Sequence, residues 1–254
     1  MTTLEPDRRI VGEGTPAKLW QQSPQWLAMA PATVSELVAP GRRLVVIAPH
    51  PDDEILGSAG LLRGCVELGR MVMVIAVTDG EASHPGSSRW PTDRLRRQRR
   101  AESEAALAVL GLPPTALRRL GLPDGGISDS YPQLHQRLLA LIGPDDVVLA
   151  PWRSDGHPDH EAVGQAAAEV CAEVDAQLLE VPIWGWHWAR PEHPDFPWPR
   201  AIAVPLDELT VQCKRRAVRV FVSQLRPDPS TGAGPILPDW ALARLVHRCE
   251  VFLR

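Results

Sequence analysis

Phenylalanine and tyrosine are nearly missing from this chain: 3 Phe and 1 Tyr stand beside 9 Trp in 254 residues. Cysteine is sparse as well. Cys65, Cys171, Cys213 and Cys249 are scattered, and no two form a Cys-x-x-Cys pair. That argues against a thiolate zinc cluster or a disulfide framework and predicts reduced, buried thiols in a cytoplasmic protein. No apolar run approaches the ~20 residues that a bilayer crossing requires. The first residues, Met1 to Arg9, include acids and no apolar core, so they do not read as a secretory leader. There is no basic surplus either. Lys plus Arg is 27 against 31 Asp plus Glu, a net charge of −4. Phosphate neutralisation needs a basic surface, so nucleic acid is excluded as the main partner. The one basic run, Arg94 to Arg100, reads as a solvated helix face.

Proline is plentiful, at 26 residues, and predicts many fixed loops. From Arg42 onward, apolar runs alternate with helical patterns. Strands are predicted at 43–48, 71–77, 116–120, 146–151, 178–182 and 201–205. Helices are predicted at 55–68, 92–110, 131–142, 159–173, 207–222 and 239–253, with Gly111 capping the second. Residues 1–40 read as an arm with a short helix over 24–29, packed on one domain spanning 1–254. Continuous apolar strands between helices imply a sheet buried on both faces. The expected fold class is therefore α/β, a Rossmann-like three-layer sandwich with a mostly parallel central sheet. Ligands in such sheets sit beyond the carboxyl ends of the strands.

Two segments lie at such ends. Ala48-Pro49-His50-Pro51-Asp52-Asp53-Glu54 follows the run Leu44 to Ile47, and Asp155-Gly156-His157-Pro158-Asp159-His160-Glu161 follows Val147 to Ala150. His50 precedes a proline and is pushed out of helical backbone, while Pro51 suits a first helical position. Asp53 then falls three residues after His50, and both side chains can face one point. His157 and His160 repeat that spacing. Acids in a first helical turn can simply complement the helix dipole. Two such clusters at matching strand ends read instead as one metal site. Three ligands with an open position suit a catalytic zinc ion, one per chain. The set read from spacing is His50, Asp53 and His160. Asp52 is then the candidate general base, and His157, as imidazolium, the candidate acid or oxyanion stabiliser. Asp159 reads as a helix cap or a residue orienting a histidine, and Glu54 and Glu161 as structural.

At these residues the chain resembles the LmbE-like (PIG-L) N-deacetylases, which carry (A/P)-H-P-D-D-E after the first strand and H-P-D-H later. Arg99-Arg100-Ala101-Glu102, Leu122-Pro123-Asp124-Gly125 and Thr78-Asp79-Gly80-Glu81 are similar to that family's R-x-x-E helix, L-P-D-G loop and T-(N/D)-G-E turn. The resemblance implies zinc-dependent hydrolysis of an N-acetyl group, usually on an N-acetylglucosamine unit. It implies His50, Asp53 and His160 as metal ligands, Asp52 as base and His157 as transition-state stabiliser. It places Arg99 and Asp124 on sugar hydroxyls. Thiol-sugar deacetylases of the family have a tyrosine two residues before the first His of H-P-D-H. Asp155 holds that place here and is counted with the substrate-binding residues, and the single Tyr131 is near no motif.

The expected function is removal of an N-acetyl or other N-acyl group from an amino-sugar-containing small molecule or glycoconjugate. A homo-oligomer is compatible with the sequence. Two alternatives share the residues: a non-haem Fe(II) oxygenase using the same two histidines and one carboxylate, and a non-catalytic sugar-binding relative. The segment Trp184 to Trp198 is either an aromatic wall for substrate or core packing. His187 within it reads as a satisfied interior histidine.

Overall fold

A computed structural model of the protein describes residues 8–254. The leaderless reading of the N-terminus and the start of the 1–40 arm fall on residues 1–7, outside the described residues. Eight strands form one sheet: β1 (Ala30–Pro31), β2 (Arg43–Ala48), β3 (Met71–Ala76), β4 (Leu117–Arg119), β5 (Asp146–Pro151), β6 (Gln177–Val181), β7 (Ala201–Pro205) and β8 (Cys249–Leu253). Their order is β1-β7-β8-β6-β5-β2-β3-β4. All pairings are parallel except those of β8, which runs antiparallel to both β6 and β7.

Short helices α1 (Ala17–Gln21), α2 (Pro24–Leu27) and α3 (Val34–Leu37) make up the arm. The longer ones are α4 (Asp53–Glu67), α5 (Thr92–Val109), α6 (Tyr131–Leu139) and α7 (Pro158–Val174). Then come α8 (Gly185–Trp188), α9 (Glu208–Val218), α10 (Val222–Leu225) and α11 (Asp239–Leu245). Side chains alternate across a strand, so β2 feeds two cores. Leu44 and Val46 pack with α4, α5 and α9. Val45 and Ile47 pack with α6 and α7. This is the expected three-layer sandwich. No helix among the described residues is long and apolar enough to cross a membrane.

The C-terminus departs from expectation. The helix predicted over 239–253 stops at Leu245, and residues 249–253 become β8. Val251, Phe252 and Leu253 are buried there. The slot between β6 and β7 offers them ladder partners, and that tertiary pairing outweighs local helical preference. The helix predicted over 207–222 likewise ends at Val218, before the short α10.

β8 also mends a break in α4. Backbone at Ser58 leaves helical geometry (φ −149°, ψ 21°). Glu250 reaches across and accepts the N–H groups of Gly60 (2.8 Å) and Leu61 (2.9 Å). Lys214 of α9 donates to the same carboxylate at 2.8 Å, and both side chains are 1% exposed. Removing one partner of such a buried pair strands the other charge. Lys214→Met should therefore cost about 3–5 kcal/mol of stability in urea unfolding. A loss below about 1 kcal/mol would show that Glu250 is held without the ammonium.

Candidate active site

From β2 the chain moves outward through β3 to β4, then returns to place β5 on the other side of β2. This is the topological switch point, where a crevice opens beyond the strand ends. β2 and β5 are adjacent and parallel. The loops that leave them, 49–52 and 152–157, therefore face each other, and each leads straight into a helix.

In the first loop, Asp52 has φ 122° and ψ −31°, a conformation that is strained for a residue with a Cβ. Its neighbours hold it there. The Glu54 carboxylate accepts the Asp52 N–H at 3.0 Å and the Ser103 hydroxyl at 2.8 Å. Arg99 donates to Pro51 O (2.7 Å), Asp52 Oδ2 (3.0 Å) and Gly80 O (2.8 Å). Gly80 has φ +67°, and a Cβ there would lie 2.0 Å from Arg99 Nη1, so the turn after β3 needs glycine. Asp53 opens α4, and its Oδ2 accepts the His50 N–H at 3.0 Å.

In the second loop, Asp155 is fully buried. Its carboxylate engages His160 Nδ1 at 2.8 Å and accepts the N–H groups of Ile183 (2.9 Å), Trp184 (3.0 Å) and Gly185 (2.8 Å). His160 therefore keeps a proton on Nδ1, and Nε2 is the nitrogen that could ligate once it gives up its proton. His157 caps α7, and its Nδ1 accepts the Asp159 N–H at 3.3 Å. The neutral ring of His157 therefore carries its proton on Nε2.

The two loops meet at Asp53. Its Oδ2 lies 3.2 Å from His50 Nδ1 and 3.2 Å from His160 Nε2. Two residue groups here could hold a metal ion, His50/Asp53/His160 and His50/His157/Asp159. The second is poorly suited, because Asp159 already accepts the N–H groups of Gly125 (2.8 Å) and Ile127 (3.3 Å) and His157 Nδ1 is occupied. The first fits. His160 Nε2 is buried with no hydrogen-bond partner. His50 Nε2 is turned to Asp159 Oδ2 (3.1 Å) and Asp124 Oδ1 (3.3 Å), leaving Nδ1 toward Asp53. Two imidazole nitrogens and one carboxylate oxygen, each ring anchored by an acid on its far side, form the donor set of a divalent cation.

The electrostatics agree. Burial opposes a charged His160, but Asp53 and Asp155 raise it to about 9. Burial also works against His50, yet Asp124, Asp159 and Asp53 lift it well above the usual histidine value. Asp53, though desolvated, is held well below the carboxylate range by those two rings. Protons thus supply the positive charge that the acids demand, and a cation would displace them. Burial pushes Asp52 up to about 8 against the pull of Arg99, with Asp53 and Glu54 adding repulsion. A cation beside Asp53 would lower it again. His157 goes the other way: burial, with His160 and His50 beside it, depresses it to about 4.

A cavity of about 340 Å³ opens over these groups. It brings together His50, Asp52, Asp53, Arg99, Asp124 and His157, and Trp184 and His187 also line it. Several expectations change. Asp155 is not among the lining residues. It is 0% exposed and orients His160 from behind instead of meeting substrate. Arg99 reaches the cavity but is 3% exposed and committed to Asp52 and two carbonyls. Burial and the neighbouring rings hold His157 below the usual histidine value, which favours a neutral N–H donor over the expected imidazolium. The tryptophan segment divides. Trp186, Phe196 and Trp198 pack around Trp20, with ring centroids 4.9, 5.0 and 5.9 Å from it, while Trp184 lines the cavity. His187 is satisfied by Val11 O (3.1 Å) and Arg244 (3.0 Å), yet it also lines the cavity. Tyr131 packs in the α6–α7 layer and does not line the cavity.

The sequence pattern of the GlcNAc-PI de-N-acetylase (PIG-L) family matches residues 45–171, half of this chain. The chain belongs to the PIG-L family. A 1D-myo-inositol 2-acetamido-2-deoxy-alpha-D-glucopyranoside deacetylase of Kineococcus radiotolerans is 30% identical over 208 residues, 80% of this chain and 51% of that one. The chain spans about half the length of the curated relatives it matches. The N,N'-diacetylchitobiose deacetylase of Pyrococcus horikoshii superposes with a TM-score of 0.57 at 20% identity, covering 80% of this chain and 76% of the other. A 4-carboxy-2-hydroxymuconate hydratase of Pseudomonas putida superposes with a TM-score of 0.50 at 17% identity, covering 72% and 80%. The fold is thus shared with an enzyme named for a different reaction, and function rests on the site.

Asp155 gives the site its most specific test. Asp155→Asn keeps the shape but removes the charge that fixes the His160 ring. Zinc affinity, measured by competition with a chelating dye, should fall about 10–100-fold. Unchanged affinity would mean that packing alone orients His160.

Proposed function

We propose that this protein is a metal-dependent N-deacetylase, one LmbE-like domain that hydrolyses the acetamide of an amino-sugar conjugate. One observation carries the reading. A single carboxylate oxygen of Asp53 faces two imidazole nitrogens at 3.2 Å each, in a cavity that also holds the strained Asp52.

His50, Asp53 and His160 would hold the cation, with zinc the ion best suited to this donor set. When bound, it supplies a Lewis acid and makes nearby water more acidic. The remaining chemistry belongs to the chain. Asp52 takes a proton from the water that attacks the acetamide carbonyl. Arg99 grips Oδ2 of Asp52 and fixes the direction of the carboxyl group. The Nε2–H of His157 donates to the oxygen that becomes negative as the carbonyl carbon turns tetrahedral. A neutral donor serves here, because its other nitrogen is held by the Asp159 N–H. Asp52 then returns the proton to the departing nitrogen. The C–N bond breaks, and acetate and a free amine leave. Asp124 lines the same cavity, with Oδ2 accepting Ala82 N–H at 2.7 Å, and its carboxylate edge is the group available to a sugar hydroxyl.

Relatives named as deacetylases of amino-sugar compounds support the substrate class. The test is amine release from a panel of N-acetylglucosamine conjugates by zinc-loaded protein. At least one conjugate should be turned over. Asp52→Ala should lower kcat by about 10²–10⁴-fold while retaining the metal. Near-wild-type turnover in that variant would remove Asp52 from the mechanism, and no release from any conjugate would remove the activity.

A further inference from the structure

Arg244 is 5% exposed, yet no carboxylate among the described residues pairs with it. Its Nη1 donates to two carbonyls, Glu13 O at 2.8 Å and Thr15 O at 2.9 Å. Its Nη2 meets His187 Nδ1 at 3.0 Å. His187 donates its Nε2 proton to Val11 O and accepts at Nδ1, so it is a neutral acceptor that leaves the arginine charge uncompensated. Trp240 stacks over the guanidinium, with Cζ 5.0 Å from the ring centroid. Every other buried arginine described, Arg99, has a carboxylate partner. A buried charge without one is costly, and this one lines the cavity over the metal ligands.

Its place in the cavity is informative. Ala241, Arg244 and Leu245 are three and four residues apart on α11, so they share one face, and all three line the cavity. Ile183, Ile236 and Leu237 extend that apolar surface. The hydrogen bonds of Arg244 run to Glu13 O, Thr15 O and His187, not to His50, Asp52, Asp53 or His157. Ring contacts lead from His50 to His157 (5.0 Å), on to Trp184 (6.4 Å) and then to His187 (6.0 Å), which touches Arg244. A sugar whose acetamide sits at Asp52 would present its substituent along this line of rings, toward Arg244.

We infer that the outer half of the cavity is a subsite for an apolar aglycone ending in an anionic group, with Arg244 as its charge partner. This rests on the deacetylase reading for the position of the sugar and deepens it by naming the substituent. Guanidinium and carboxylate or phosphate form strong charge-assisted pairs, and more so where water is excluded. Burial lowers Arg244 to about 10, which still leaves it charged at neutral pH. The carbonyls and the histidine hold the group in place without neutralising it, which pre-organises it for an incoming anion.

The probes are the 4-methylbenzyl, 4-carboxybenzyl and 4-phosphonobenzyl glycosides of N-acetylglucosamine, used with the zinc-loaded full chain. Amine release gives kcat/KM for each, and calorimetry gives affinity independently of turnover. Either anionic probe should be favoured over the neutral one by about tenfold or more in both measurements. Arg244→Gln should bring that ratio close to 1, and Arg244→Lys should restore part of it. Should Arg244→Gln fail to fold once the carbonyls of Glu13 and Thr15 lose their donor, Ile236→Glu replaces it. Ile236 is 37% exposed and lines the same cavity, and a negative charge there should also lower the ratio. A wild-type ratio at or below 1, or a ratio that the folded variant leaves unmoved, overturns the subsite. An Arg244-dependent binding preference without amine release from any probe supports the subsite and overturns the deacetylase reading.

Discussion

β2 and β5 lie side by side and parallel, and the loops beyond them are joined through one carboxylate, that of Asp53. Its Oδ2 stands between an imidazole from each loop. Each ring is in turn held from behind by a second acid, His50 by Asp159 and His160 by Asp155. The result is a cluster of negative charge that is stable only with positive charge at its centre. Protons on the raised histidines can serve, and a divalent cation held by three donors at once would serve in their place. The strained turn at Asp52 depends on the same frame. Glu54, Ser103 and Arg99 brace it from α4 and α5, so the helices behind the sheet position a group in front of it. Strain that is over-determined in this way is characteristic of functional sites.

Much of this was legible in the sequence, because two simple constraints coincided. Continuous apolar runs marked the strands, and β2 and β5 were read with their observed limits. The spacing of His50 with Asp53, and of His157 with His160, then placed donors at the ends of those strands. What the sequence did not show depended on distance in space. Nothing local says that Asp155 turns inward. That follows from the three N–H groups of residues 183–185, far along the chain, which claim its oxygens. His157 is held low by burial first, then by His160 of its own segment and His50 of the other loop, and Arg99 is committed in part to a turn after β3. β8 was missed for the same reason, since its five residues are a strand only because β6 and β7 leave a gap between them. Arg244 attracted no notice in the sequence, where it is one basic residue in a short amphipathic stretch. Its lack of a carboxylate appears only in three dimensions.

The cavity has two unlike groups of lining residues. One is rich in carboxylates and histidines and suits a cation and an amide. The other group is apolar, with Trp184, Ile183, Leu237 and residues of α11, and includes the buried Arg244. The arm contributes to that second group through the carbonyls of Glu13 and Thr15, and α11 contributes the arginine. These parts lie outside residues 45–171, the stretch matched by the family pattern. The division is consistent with a shared reaction centre joined to a selective rim built from the rest of this chain.

The central claim is that His50, Asp53 and His160 hold the cation on which the chemistry depends. It is tested most directly by stripping the protein with a chelator and titrating Zn²⁺ back while following acetate release from an N-acetylglucosamine glycoside. Activity should be absent at first, rise with added zinc and level off at one ion per chain, and the same titration of His160→Gln should stay flat. Full activity in the stripped protein, or an undiminished rise in the variant, would contradict the account.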